Sequence, residues 1–184
     1  GVIVLLLAAL YRGWRRPGLR RPLGFGVASG VLFWLLATLS LNIYEQGTRL
    51  PEITLRNAAG ETIQLSDYQG GPLVINLWAT WCPPCRREMP VLAQAQQQRP
   101  DVRFIWINQG ETAEAVMGYL RREQATAPLP LAQVLFDPQQ QAGRHWRQRG
   151  LPSTYFYGAD GRLCGMRMGE LSRASLAQHL KECS

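Results

Sequence analysis

The eight residues Pro72 to Ala79, PLVINLWA, constrain the fold more than any other stretch of the chain. They form an apolar run interrupted only by Asn76 and preceded by Gly70-Gly71, as expected of a central strand buried on both faces. Such a strand needs helices or other layers above and below it. The run passes through TWCPPC into a segment from Pro83 to about Gln98 that reads as a helix. Its first position is a proline, where a missing N–H costs least. Pro90 removes one internal backbone bond and is expected to bend the helix. VRFIWIN is a second buried strand, Thr112 to about Gln124 a helix, and Gln139 to Gln148 a weaker helix after the short run VLF. Upstream, ITLRN and TIQLSD alternate like the arms of a hairpin with Gly60 at the turn. Downstream, STYFYG and RLCGMRM pair around Ala159-Asp160-Gly161, and Ser172 to Cys183 is a closing amphipathic helix. Strands alternating with helices, then a hairpin and a helix, indicate an α/β sheet with helices on both faces.

The first forty residues have a different character. Leu23 to Leu41 is an uncharged run of 19 residues, which spans about 28 Å at ~1.5 Å per residue, close to a bilayer's hydrocarbon thickness. Residues 1–11 read as the end of a truncated transmembrane helix, 12–22 as a basic cytoplasmic loop, 23–41 as a transmembrane helix and 42–184 as a periplasmic domain. Five arginines (Arg12, Arg15, Arg16, Arg20, Arg21) lie in the loop, and basic loops stay on the cytoplasmic side. A cleaved signal peptide is the rival, but 23–41 is long for an apolar signal core. The loop also explains the net charge of +7. Without those five, the twenty Lys and Arg fall to fifteen, against thirteen Asp and Glu. That is an ordinary surface with no nucleic-acid stripe. The expected location is a bacterial inner membrane, with the catalytic domain in the periplasm, where disulfides persist.

Cys82 and Cys85 stand where the buried strand ends and the helix begins. A spacing of three brings both to one helical face, within reach of each other. Cys82 caps the helix, where unpaired N–H groups and the dipole's positive end favour a thiolate. A C-x-x-C pair so placed can bring a thiol pKa from ~8.5 to between ~3.5 and ~7.5. Cys82 is therefore the expected attacking sulfur, the more exposed of the two, and Cys85 the resolving one. Pro83 and Pro84 stiffen the intervening loop and remove two N–H donors, which weakens stabilisation of the thiolate.

WCPPC after VINLWAT and before RREMP resembles the active-site segment of TlpA-like thioredoxin-fold disulfide reductases, the group of ResA- and CcmG-type cytochrome c maturation proteins. RGLPSTYF is similar to that family's cis-proline segment and DGRLCGMRMGEL to its final hairpin, so the resemblance covers roughly Leu50 to Leu180. It implies a thioredoxin fold with an added N-terminal β-hairpin, membrane attachment, and thiol–disulfide exchange without a cofactor. By position it makes Cys82 and Cys85 the redox pair, Pro152 the cis-proline facing them, and Glu88 an acid beneath them. The Leu151 backbone would then face Cys82, ready to pair with an extended substrate, with Trp81, Pro83 and Pro84 bordering the contact. Thioredoxins proper carry a buried Asp where this chain has Asn76. An amide takes no proton, so Glu88, three residues after Cys85, is the better base. The implied partners are protein disulfides or thiols and a DsbD-like membrane thiol donor.

Other readings stay open. An oxidant of the same fold differs only in direction, and a non-enzymatic module gripping apocytochrome or copper would use the cysteines as ligands. A structural staple at Cys82–Cys85 closes too small a loop to stabilise much. Zinc usually takes four ligands, and no second C-x-x-C or close His cluster exists; His145 and His179 read as surface residues. Trp78 and Trp81 read as packing and surface shape, Glu88 can also be a solvated helical residue, and Pro152 can be trans. In the thioredoxin-like sheet, Cys164 lies early on the final strand and Cys183 at the end of the last helix. The strand advances ~17 Å to Gly169 at ~3.3 Å per residue, and the helix returns ~16 Å from Ser172. That closure predicts a structural Cys164–Cys183 disulfide remote from Cys82; two free thiols are the alternative.

Overall fold

The computed structural model describes residues 29–41, 49–123 and 129–183. The chain divides into two units between Gly47 and Thr48. In the first, residues 29–41 form a helix with mostly exposed side chains. No helix among the described residues is long and apolar enough to cross a membrane. The first apolar segment, the basic loop, residues 23–28 and most of the linker lie outside the described residues.

The second unit is built on seven strands. These are β1 (Thr54–Asn57), β2 (Thr62–Gln64), β3 (Leu73–Trp78), β4 (Arg103–Gln109), β5 (Val134–Asp137), β6 (Ser153–Tyr157) and β7 (Leu163–Met168), in the spatial order β2-β1-β5-β4-β3-β6-β7. β3 is parallel to β4 and antiparallel to β6. All six of its residues are buried, as a run apolar but for Asn76 requires. Among the described residues of this unit, four α-helices flank the sheet: α1 (Pro83–Gln98), α2 (Ala113–Glu123), α3 (Gln141–His145) and α4 (Arg173–Glu182).

The pleat divides the apolar side chains between two cores. Val74, Trp78, Phe104 and Trp106 point to the face covered by α1, α2 and α4. Leu73, Ile75, Leu77, Ile105 and Ile107 point to the other, where Leu65 and Ala142 of a 3-10 turn and α3 meet them. Both faces are thus covered, but the second by one short helix and loops.

Several boundaries move from their expected places for local reasons. The N-terminal hairpin turns on the Asn57 carboxamide, whose oxygen accepts from the N–H groups of Ala59 and Glu61, both at 3.0 Å, with Gly60 at φ 81°. Its second arm ends at Gln64, because Leu65 turns inward to full burial and begins the 3-10 turn Leu65–Tyr68. α1 runs unbroken through Pro90 to Gln98. The weak helix expected at Gln139–Gln148 contracts to five residues. Gln140 at φ 55° and Arg147 at φ 49° stop it at either end. Trp146 anchors that end, donating from its indole N–H to the Tyr157 hydroxyl at 2.9 Å and stacking on Tyr155.

At the far edge, Cys164 of β7 and Cys183, which caps α4, are joined by a disulfide with Cα atoms 5.6 Å apart. Leu176 and Leu180 bury the inner face of α4. His179 departs from the surface position expected of it. It is half-buried and stacks on Phe156 at 4.6 Å between ring centroids, because it lies three residues after Leu176 on the same face of α4. His145 is exposed.

Candidate active site

The chain leaves β3 at Trp78, crosses three residues and enters α1 at Cys82. Cys82 has extended backbone angles (φ −93°, ψ 102°) and is the N-cap, with Pro83 and Pro84 at the first helical positions. Neither proline has an N–H, so the first donor available to the cap is Cys85 N, which reaches Cys82 Sγ at 3.3 Å. The two cysteines form a disulfide, with S–S 2.03 Å and Cα atoms 5.3 Å apart. Cys85 is fully buried and Cys82 is only 3 % exposed. The exposure expected at Cys82 is therefore small: the cap turns its sulfur back toward Cys85, and Trp81, 67 % exposed, presents the open surface instead. Trp78 is wholly buried against Tyr119.

The Leu151–Pro152 peptide is cis. Because Ser153 pairs opposite Leu77, Leu151 and Pro152 emerge at the end of β3 from which the Cys82 loop departs. Pro152 is buried, and its carbonyl accepts from Gly169 N at 2.9 Å.

Glu88 is fully buried one turn beyond Cys85. One carboxylate oxygen accepts from Asn76 Nδ2 at 2.7 Å and the other from Leu171 N at 2.8 Å. Asn76 also donates to Thr154 Oγ1 at 3.0 Å, while its own oxygen has no partner. Burial dominates the carboxyl's acidity, outweighs the two hydrogen bonds that favour its charge, and pushes its pKa to about 7. The Glu170 carboxylate adds to the rise. A solvated helical glutamate does not behave this way. Asn76 and Glu88, twelve residues apart, are one hydrogen-bonded unit.

Two further acids escape a reading of the sequence. Glu111 accepts from Thr80 N at 2.7 Å, Thr80 Oγ1 at 2.5 Å and Asn108 Nδ2 at 2.8 Å, and so braces the loop that carries Cys82. Asp137, fully buried, accepts from Gln141 N and Ala142 N at 2.9 Å and from Gln109 Nε2 at 3.0 Å, capping α3. Both lie at the C-terminal ends of parallel strands, Asp137 as the last residue of β5 and Glu111 just after β4, where sites in α/β sheets gather; that was the available signal. Among the described residues no three His, Cys, Asp or Glu side chains gather into a metal-binding group.

A sheet with these parallel and antiparallel neighbours, a C-x-x-C disulfide capping the helix after its central strand, and a cis-proline at the same strand end define a thioredoxin-fold redox protein. The added hairpin β1–β2 sits at the opposite edge from β7. The chain belongs to the Redoxin family, whose model matches residues 45–173. It is 28 % identical over 163 residues to the thiol-disulfide oxidoreductase ResA of Geobacillus thermodenitrificans, covering 82 % of this chain and 91 % of that one. It is 24 % identical over 166 residues to the ResA protein of Bacillus subtilis, covering 84 % and 90 %. Among solved structures it is similar to a Chlorobium tepidum protein assigned as thiol:disulfide interchange protein DsbE. That match has a TM-score of 0.66 at 25 % identity, covering 76 % of this chain and 98 % of that one.

Proposed function

We propose that this thiol–disulfide oxidoreductase works as a reductase of protein disulfides through Cys82 and Cys85. The observation that carries the direction is the cap. With prolines at 83 and 84, a single backbone N–H, that of Cys85, meets the Cys82 sulfur. Oxidising members of this fold draw their power from a strongly stabilised thiolate. Here that stabilisation is poor, so the dithiol gives up its electrons readily.

The reaction runs in two displacements. The Cys82 thiolate attacks one sulfur of the substrate disulfide and releases the other as a thiolate. Glu88 takes the proton of the Cys85 thiol, and the Cys85 thiolate attacks Cys82 Sγ. The second substrate sulfur leaves as a thiolate and is protonated from solvent. The enzyme ends as the Cys82–Cys85 disulfide, and two electrons and two protons from a dithiol donor restore it. A carboxyl with a pKa of about 7 suits the proton transfer, since it accepts and returns a proton near neutrality. The backbone at Leu151, before Pro152, offers an extended segment its pairing edge, with Trp81 beside it.

We further propose that residues 1–41 hold the chain in a bacterial inner membrane, with the basic loop 12–22 cytoplasmic and the domain from 42 to 184 in the periplasm. A DsbD-like membrane thiol transporter is the donor this arrangement calls for. The hydropathy of 23–41 and the clustered arginines support this topology.

The deciding measurement is the equilibrium potential of the Cys82–Cys85 couple in a dithiothreitol or glutathione series. A reductase lies near the ~−270 mV of thioredoxin, whereas a value near the ~−120 mV of DsbA makes the protein an oxidant. Trapping checks the roles. Cys85→Ser is expected to accumulate mixed disulfides with substrate and Cys82→Ser none, and the opposite pattern would exchange the two assignments.

A further inference from the structure

Beside the redox disulfide lies a groove of about 410 Å³. Trp81 and Leu151 form its wall nearest the cysteines, and α3 with the turn after it forms the other. No acidic residue lines it, but two exposed arginines do, Arg144 and Arg147. Elsewhere on this unit Arg87 and Arg99 are paired with carboxylates at 2.7 Å. Arg144 instead donates to the Gln139 carbonyl, and Arg147 has no ion pair among the described residues. The groove thus holds two positive charges that no carboxylate of the described chain answers.

The backbone around it is shaped at some cost. Gln140 and Arg147 are the two non-glycine residues with positive φ among those described, and both line this groove. Left-handed backbone at a side-chain-bearing residue is disfavoured and gathers where a surface must hold a set form. Between them Gly143 lies under the side chains of Gln109 and Gln148, whose Oε1 atoms sit 2.8 Å and 2.9 Å from where a Cβ would stand and which line the groove with it.

We propose that this groove selects the substrate. It takes the peptide segment flanking the target cysteine, with an apolar residue on Trp81 and Asp or Glu side chains on Arg144 and Arg147. The assignment builds on the oxidoreductase reading only in expecting a cysteine to follow the segment to Cys82. Charge complementarity of this kind chooses partners and speeds encounter.

Binding measured apart from chemistry tests it. The full chain with Cys82→Ser and Cys85→Ser is titrated with fluorescent peptides whose target cysteine is serine, one flanked by Asp and Glu and its twin by Asn and Gln. The acidic peptide is expected to bind at least about 10-fold tighter at low salt, with the advantage shrinking as ionic strength rises. Adding Arg144→Gln and Arg147→Gln is expected to erase the preference, whereas Arg86→Gln, an exposed residue of α1 outside the groove, keeps it. Equal binding of the twins, or a preference that survives the groove double variant, overturns the proposal. Reduction of a small neutral disulfide by the unmodified chain is measured alongside. A chain that lacks this activity yet keeps the peptide preference sinks the reductase reading and supports the groove. One that reduces without preference overturns the groove alone.

Discussion

Replacing Glu88 by glutamine isolates the cost of the buried carboxylate. Burial moves this carboxyl from 4.5 to about 7. At ~1.36 kcal/mol for each tenfold change in proton affinity, that displacement amounts to about 3 kcal/mol. Its sign follows from proton counts. Between about pH 4.5 and 7 the folded chain holds a proton that the unfolded chain has released. Stability from this group is therefore fully present below about pH 4.5 and lost as pH rises through 7. Glutamine mimics the protonated acid. Its oxygen can keep the bond from Leu171 N, and its amide can donate to Asn76 Oδ1, which has no partner now. Urea unfolding of the oxidised chain is compared for wild type and Glu88→Gln at about pH 4 and about pH 8.5. The two are expected to be nearly equal at the lower pH, with the variant more stable by about 3 kcal/mol at the higher. In the reduction assay wild type is expected to show an inflection near pH 7 that the variant lacks. A stability difference that does not change between the two pH values would refute the reasoning, because Glu88 would then titrate as an ordinary solvated acid.

Two other perturbations follow from the same structure. Glu111→Ala strips the acceptor from Thr80 N and Asn108 Nδ2, and leaving such donors unpaired costs about 1–3 kcal/mol. Urea unfolding and the rate of disulfide reduction are both expected to fall; unchanged values in both would remove Glu111 from the support of the Cys82 loop. Replacing Cys164 and Cys183 together by alanine opens a closure of nineteen residues, worth about 3 kcal/mol on the chain-entropy model. A lower urea midpoint with reduction activity retained is the expected result, and loss of activity at full stability would contradict a purely structural bridge.

Much of this was legible in the linear chain, because some patterns have few three-dimensional solutions. An apolar run such as Leu73–Trp78, interrupted only by Asn76, reads as a central strand, and a cysteine just before two prolines reads as a helix start, where a missing N–H does least harm. Periodicity likewise placed the final hairpin and α4, and with them the separation that Cys164 and Cys183 span. The acidity of Glu88 was not legible. Its spacing from Cys85 puts it on the right face of a helix, but full burial against Asn76, Thr154 and Leu171 depends on three distant segments converging. Desolvation is a property of everything around a group, so no local pattern contains it. The same holds for the bonds from Thr80 to Glu111 and from Gln109 to Asp137, which join separate segments, and for the stacking of His179 on Phe156. The groove beside Trp81 is the extreme case, since Trp81, Gln109, Arg144, Arg147 and Leu151 share one surface only after β3, β4 and β6 pair. Local spacing alone singled out Cys82 and Cys85 as the candidate redox pair. Long-range pairing alone decided how that pair is buried and braced and which charges line the groove beside it, because burial and convergence arise only when distant strands meet.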